Sequence, residues 1–97
     1  MGFLYLSGLV LAQLGEAYLL AGDTANAQEA GMRALEAARS SGEESSEAWA
    51  LWLLGEVAVR LDSPEAAARY REAEGIADRL DMAPLSARCQ ESLERIG

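Results

Sequence analysis

The chain contains neither histidine nor lysine, and cysteine occurs once, at Cys89. Without histidine there is no Ser-His-Asp or Cys-His activation of a nucleophile, no imidazole ligand for a metal, and no proton shuttle near neutral pH. Without lysine, a phosphate-binding Gly-x-x-x-x-Gly-Lys loop cannot be completed. One cysteine gives neither an intrachain disulfide nor the paired spacing of a zinc site, and it points to a reducing, cytoplasmic setting. Proline occurs only at Pro64 and Pro84, and β-branched residues are sparse among the many Ala and Leu, which disfavours sheet.

Positive charge is scarce as well. Eight arginines face sixteen carboxylates over 97 residues, a formal net charge of −8. The acidity is concentrated after Gly42. Such a chain repels phosphate backbones and anionic lipid heads, so neither nucleic acid nor a membrane surface is an expected partner. The acidic groups Glu43, Glu44, Glu47 and Glu72, Glu74, Asp78 read as solvated helix faces rather than as a metal site; no cofactor is expected. Residues 2–12 are almost entirely apolar, yet no basic residue precedes Arg33, as a signal peptide would require, and Gln13 and Glu16 interrupt the run too early for a membrane span. This segment reads as a strongly buried helix.

What is present is helical periodicity. Phe3, Leu6, Val10, Leu14 and Ala17 recur at three- and four-residue steps, with a second stripe, Leu4, Gly8, Leu11, Gly15 and Tyr18, beside them. Gly22 serves as a stop and Asp23 as the next N-cap. Ala27, Ala30, Ala34, Leu35 and Ala38 mark a second helix, broken by Ser40, Ser41 and Gly42. Leu51, Leu54, Ala58 and Leu61 mark a third. Ser63 and Pro64 start a fourth, carried by Ala66, Ala67, Tyr70, Ala73, Ala77 and Leu80, and Pro84 opens a fifth. The spacing predicts helices near 3–21, 24–40, 44–61, 64–80 and 84–96. Loops this short make successive helices antiparallel hairpins.

An internal repeat selects among hairpin architectures. Leu11-x-x-Leu14-Gly15-Glu16 returns as Leu51-x-x-Leu54-Gly55-Glu56, 40 residues on. Each copy is followed by a helix with matched small residues: Ala27, Gly31 and Ala34, then Ala66, Tyr70 and Ala73. These residues resemble the tetratricopeptide repeat, whose first helix carries Leu-Gly and whose second carries alanines around an aromatic. The 40-residue spacing, Gly31 in an aromatic position, Asp62 where glycine is usual and Glu94 at the Leu-Gly position of the last helix depart from the common pattern. The long form, with Glu-Ala-Trp-Ala-Leu-Trp-Leu-Leu-Gly-Glu over 47–56 and Leu-Asp-Met-Ala-Pro-Leu over 80–85, is similar to the C-terminal repeats of large bacterial signalling proteins that join an ATPase to a nucleotide cyclase or a DNA-binding domain.

The resemblance implies an all-α, right-handed solenoid of about two and a half repeats: one domain over 1–97, with repeat 1 near 3–41, repeat 2 near 44–81 and a closing helix near 84–96. Gly15 and Gly55 would let the neighbouring helix approach, with Tyr18 and Tyr70 filling the gaps opposite. The first helix of each pair would line a concave face that binds a peptide or helix, at Leu9, Ala12, Glu16 and Leu19, then Trp49, Trp52, Glu56 and Arg60. Trp49 and Trp52 either anchor a partner there or pack between repeats. No catalytic residue is assigned. Three functions remain open: a non-catalytic protein-interaction module, a self-assembling homo-oligomer, and a sensor for a small apolar ligand or peptide. The second rests on Phe3, Leu4, Leu6 and Val10, which form apolar faces suited to pairing two chains.

Overall fold

The computed structural model describes residues 8–96 and is helical throughout, with no strand among the described residues. Its elements are α1 (Gly8–Leu20), α2 (Thr24–Ser41), α3 (Glu44–Arg60), α4 (Ala66–Arg79) and α5 (Ala83–Ile96). Each helix packs on the next, and α1 also meets α3, which in turn meets α5. The result is a helical-hairpin solenoid. Of the residues expected to pair two chains, Phe3, Leu4 and Leu6 lie outside the described residues.

The helix ends follow from local chemistry. Asp23 caps α2 by accepting from the Asn26 backbone N–H at 3.2 Å. Four helix ends share one left-handed turn, at Gly22 (φ 83°), Gly42 (φ 72°), Asp62 (φ 56°) and Asp81 (φ 60°). Beyond each, a backbone N–H reaches back five residues: Asp23 to Tyr18 (2.8 Å), Glu43 to Ala38 (2.9 Å), Ser63 to Ala58 (2.8 Å) and Met82 to Ala77 (2.7 Å). This is the Schellman arrangement, which supplies donors to the last orphan carbonyls. Asp62 and Asp81 thus adopt the conformation that glycine adopts with least strain. The fourth helix starts later than the sequence predicts. Pro64 and Glu65 form a turn in which the Ser63 hydroxyl accepts from the Glu65 N–H at 3.2 Å, and regular helix begins at Ala66.

The core is one cluster running from Leu11 to Cys89. It centres on α3, which buries residues around most of its circumference, among them Ala50, Leu51, Leu53, Leu54 and Val57. The expected stripe on α2 is buried in full, with Gly31 added. On α1, the two expected stripes part company. Gly8, Leu11 and Gly15 pack inward, whereas Val10 (45% exposed), Leu14 (41%) and Leu20 (81%) face solvent. Of the segment 2–12 that reads as a strongly buried helix, residues 2–7 lie outside the described residues; Gly8, Leu11 and Ala12 are buried, and Leu9 and Val10 are exposed.

Two glycines set the interhelix distances. A Cβ on Gly55 would lie 2.6 Å from Tyr70 Cε1, so the ring of α4 rests directly on the α3 backbone, as expected. At Gly15 the expectation fails in its detail. Tyr18 is on the same helix and only partly buried, and the atom that a Gly15 Cβ would strike is Cδ2 of Leu53, from α3. The cause is Gly31, which stands where Tyr70 stands in the second repeat. It leaves a gap in the first hairpin that Leu53 and Leu54 of α3 fill, Leu54 Cδ2 lying 2.8 Å from a Gly31 Cβ.

Gly55→Leu is expected to destabilise the protein by at least about 1–3 kcal/mol, the usual cost of overpacking, read as a lower midpoint in urea; an unchanged midpoint would contradict the Tyr70 contact. Asp62→Gly should do the opposite. Removing a Cβ from a left-handed residue outweighs the added chain entropy, for a gain of up to about 1 kcal/mol. A melting temperature raised by a few degrees would show it, and a lowered one would refute it.

Candidate functional site

The first helices of the pairs, α1 and α3, together with α5 form one side of the molecule, and a recess of about 310 Å³ lies between them. Five of the eight residues expected on the concave face line it: Leu9, Ala12 and Glu16 from α1, and Trp49 and Trp52 from α3. Gln13, Leu53 and Arg88 complete the wall. Leu9 is exposed and Trp49 partly buried, whereas Ala12 and Trp52 are buried and contribute mainly the floor.

The other three expected positions are committed elsewhere. Leu19 is buried, and its backbone carbonyl accepts from Arg60 Nη1 at 3.1 Å. That contact places a guanidinium at the C-terminal end of α1, where the helix dipole favours a cation. Glu56 holds a junction of three helices. Its Oε2 accepts from the Tyr70 hydroxyl at 2.5 Å and from Ser92 Oγ at 3.2 Å, and lies 3.8 Å from Arg95 Nη2. Glu56, Arg60 and Arg95 line a second recess, separate from the first.

Trp49 and Trp52 are three apart on α3, and their rings meet edge to face, centroids 6.1 Å apart at 84°. Arg88 reaches across from α5, with its guanidinium carbon 5.4 Å from the Trp49 ring centre and 5.3 Å from that of Trp52. Its Nη1 lies 3.6 Å from Glu16 Oε2. One arginine thus joins all three walls. The indole N–H of Trp52 is buried and finds no acceptor among the described residues. A buried donor left so costs about 1–3 kcal/mol.

Arg88 and Arg95 were not anticipated, though a signal existed. From α3 to α5 the repeat shortens by one residue, Gly42 and Asp81 marking equivalent helix ends. Carried into α5 at that step, the groove positions Trp49 and Glu56 become Arg88 and Arg95.

The recess is lined by no thiol or hydroxyl side chain. Cys89 sits one residue from Arg88 but faces the core, fully buried, and its thiol is pushed up to about 11 by that burial and by the carboxylates of Glu74, Asp78 and Glu56. Burial and the Glu56 carboxylate also raise the Tyr70 hydroxyl. Among the described residues no three His, Cys, Asp or Glu side chains converge as metal ligands, and no helix is long and apolar enough to cross a membrane. Glu44 and Glu47, grouped in the sequence, are engaged separately, by Arg79 at 2.6 Å and Arg39 at 3.1 Å.

Cys89 should therefore resist a disulfide reagent at pH 8 in the native protein and react once urea unfolds it; stoichiometric labelling at the rate of a free thiol would refute the packing. Both raised groups are acids kept protonated by folding. Between its unfolded and folded values each holds more proton in the native state than in the unfolded, so stability falls as pH rises. The loss begins near the ordinary thiol range of about 8.5 and should be read as a falling urea midpoint between pH 8 and 11.

No curated protein and no solved structure matches the chain significantly. A family model does: the tetratricopeptide repeat, over residues 7–79, which covers α1 to α4. That family generally mediates protein–protein interaction and generally provides non-catalytic scaffolds. With the match spanning most of the sequence and the hairpin solenoid in agreement, the chain belongs to the tetratricopeptide repeat family.

Proposed function

We propose that this protein is a non-catalytic interaction module that binds a peptide or helix in the groove between α1, α3 and α5. The observation that carries this reading is the recess itself, where Trp49 and Trp52 present two perpendicular rings beside the aliphatic wall of Leu9 and Ala12. Tryptophan and arginine are the residues most enriched among binding hot spots, and a recess of about 310 Å³ is at the small end of ligand pockets, the size for anchoring side chains rather than a whole cofactor. The 40-residue repeat and the tryptophans of α3 support placing the module with the long-repeat type found in bacterial signalling proteins, and a cytoplasmic setting belongs to the same proposal.

A second reading, a homodimer through α1, is favoured by one observation. Val10, Leu14 and Ala17 are the repeat equivalents of Ala50, Leu54 and Val57, which α3 buries against the first hairpin, yet on α1 the same face is exposed. A face built to stack on a hairpin is suited to a second chain, and its apolar area favours association. Sedimentation at several hundred micromolar decides it: Leu14→Glu should shift a dimer to monomer, and a wild-type protein that stays monomeric refutes it.

The groove reading is tested with peptides selected by display against the folded protein. Binding should shift the backbone resonances of Gln13, Glu16, Trp49 and Arg88, and Trp49→Ala should weaken it by about 1–3 kcal/mol, the range of an interface hot spot. Shifts confined to the outer faces of α2 and α4, with Trp49→Ala silent, would refute it.

A further inference from the structure

The corner formed by Trp49, Trp52 and Glu16 already holds a cation, and it is the chain's own. Arg88 places its guanidinium 5.4 and 5.3 Å from the two ring centres and 3.6 Å from the Glu16 carboxylate. Two negative ring faces set at 84° and one carboxylate converge on a single point. This is the chemistry that selects a guanidinium or an ammonium group. We propose that the corner is a recognition site for a cationic side chain, arginine or lysine, of the peptide partner, and that Arg88 is its internal competitor, leaving when the partner's cation enters. The proposal rests on the groove reading above and adds to it the chemistry of the anchoring residue.

Arg88 is placed so that it can leave. Its side chain is 49% exposed and reaches in from the outer edge of α5, while Leu85 and Cys89, both fully buried, fix the helix without it. The contacts it makes are individually weak. Cation–π contacts at exposed sites and ion pairs between half-exposed groups are each modest, and a displaced guanidinium is rehydrated. An incoming arginine or lysine takes over the same partners, so the exchange itself is nearly neutral, and the apolar contacts of the ligand with Leu9 and the rings decide the outcome.

Charge favours a cation as the incoming group. At −8 the chain attracts basic ligands and repels acidic ones at long range. Glu16 has no other ion pair among the described residues, so the departure of Arg88 leaves a carboxylate for the ligand to meet. Arg88 cannot serve an acidic ligand as readily, because its charge is already matched by Glu16.

The test uses three capped nonapeptides of alanine and leucine that differ only at the centre, as arginine, norleucine or glutamate. The two tryptophans give two indole N–H signals to follow in nitrogen-15 spectra. In Arg88→Ala, checked for wild-type helicity, the arginine peptide is expected to bind about five- to tenfold tighter than it does to wild type, the scale of removing weak competing contacts. Adding Glu16→Gln should abolish most of that gain, and the norleucine peptide should be insensitive to Glu16→Gln. Equal binding of all three peptides by Arg88→Ala, with the indole signals moving, would overturn the cation site and leave the groove standing. Glutamate-peptide binding that requires Arg88 would also overturn it, making Arg88 an anion anchor. If no peptide moves either indole signal in any variant, the site and the groove fall together.

Discussion

The stack depends on how closely α3 is allowed to approach its neighbours. Leu53 and Leu54 enter the space left by Gly15 and Gly31 of the first hairpin, and Gly55 in turn receives the Tyr70 ring from α4. Large side chain against bare backbone, repeated from hairpin to hairpin, sets the helix separations. Interiors are packed too densely for such contacts to slide. The groove inherits this precision. Leu53 fills the Gly15 notch and lines the recess, while Trp52, beside it in sequence, supplies part of the floor. The dimensions of the recess are consequences of core packing on the same helix.

The outward faces of α1 and α5 are built differently. Along α5, the positions equivalent to Leu51 and Gly55 are Gln90 and Glu94, both exposed, so the face that α3 uses to seat α4 is polar on the closing helix. Along α1, the face equivalent to the stacking side of α3 is apolar. Stacked repeats are stabilised by nearest-neighbour interfaces and need polar terminal faces for solubility. Of the two, α5 carries the polar kind of face and the described part of α1 the apolar kind that stacks.

Most of the fold was legible because it follows from short-range rules. Alanine stripes at helical spacing placed α2 and α4, and Asp23 caps α2 as its sequence position suggests. The Leu-Gly pairs located the close approaches. What was misread depended on which helix came to lie opposite. Gly31 looked like a missing aromatic, and only the packing shows that two leucines of the next repeat occupy its space. Register alone puts Glu56 and Arg60 with the tryptophans, but hydrogen bonds to Tyr70, Ser92 and the Leu19 carbonyl take them into the scaffold. Arg88 becomes legible only when the register is carried across the one-residue contraction before α5, since a one-residue slip on a helix turns a position onto a different face.

The light anchoring of α5 on α3 carries a thermodynamic consequence. Among the described residues α5 packs on α4 and, more lightly, on α3, and elements held by few neighbours open locally at lower free energy than those at the centre of a core. When it frays, the recess loses its third wall. A ligand seated there must hold α5 in place and so protects that helix against opening. Its affinity is reduced by whatever fraction of molecules has α5 undocked. Substitutions at Leu85 or Ser92, which touch no ligand, would then tune binding strength through the fraying equilibrium of a single helix.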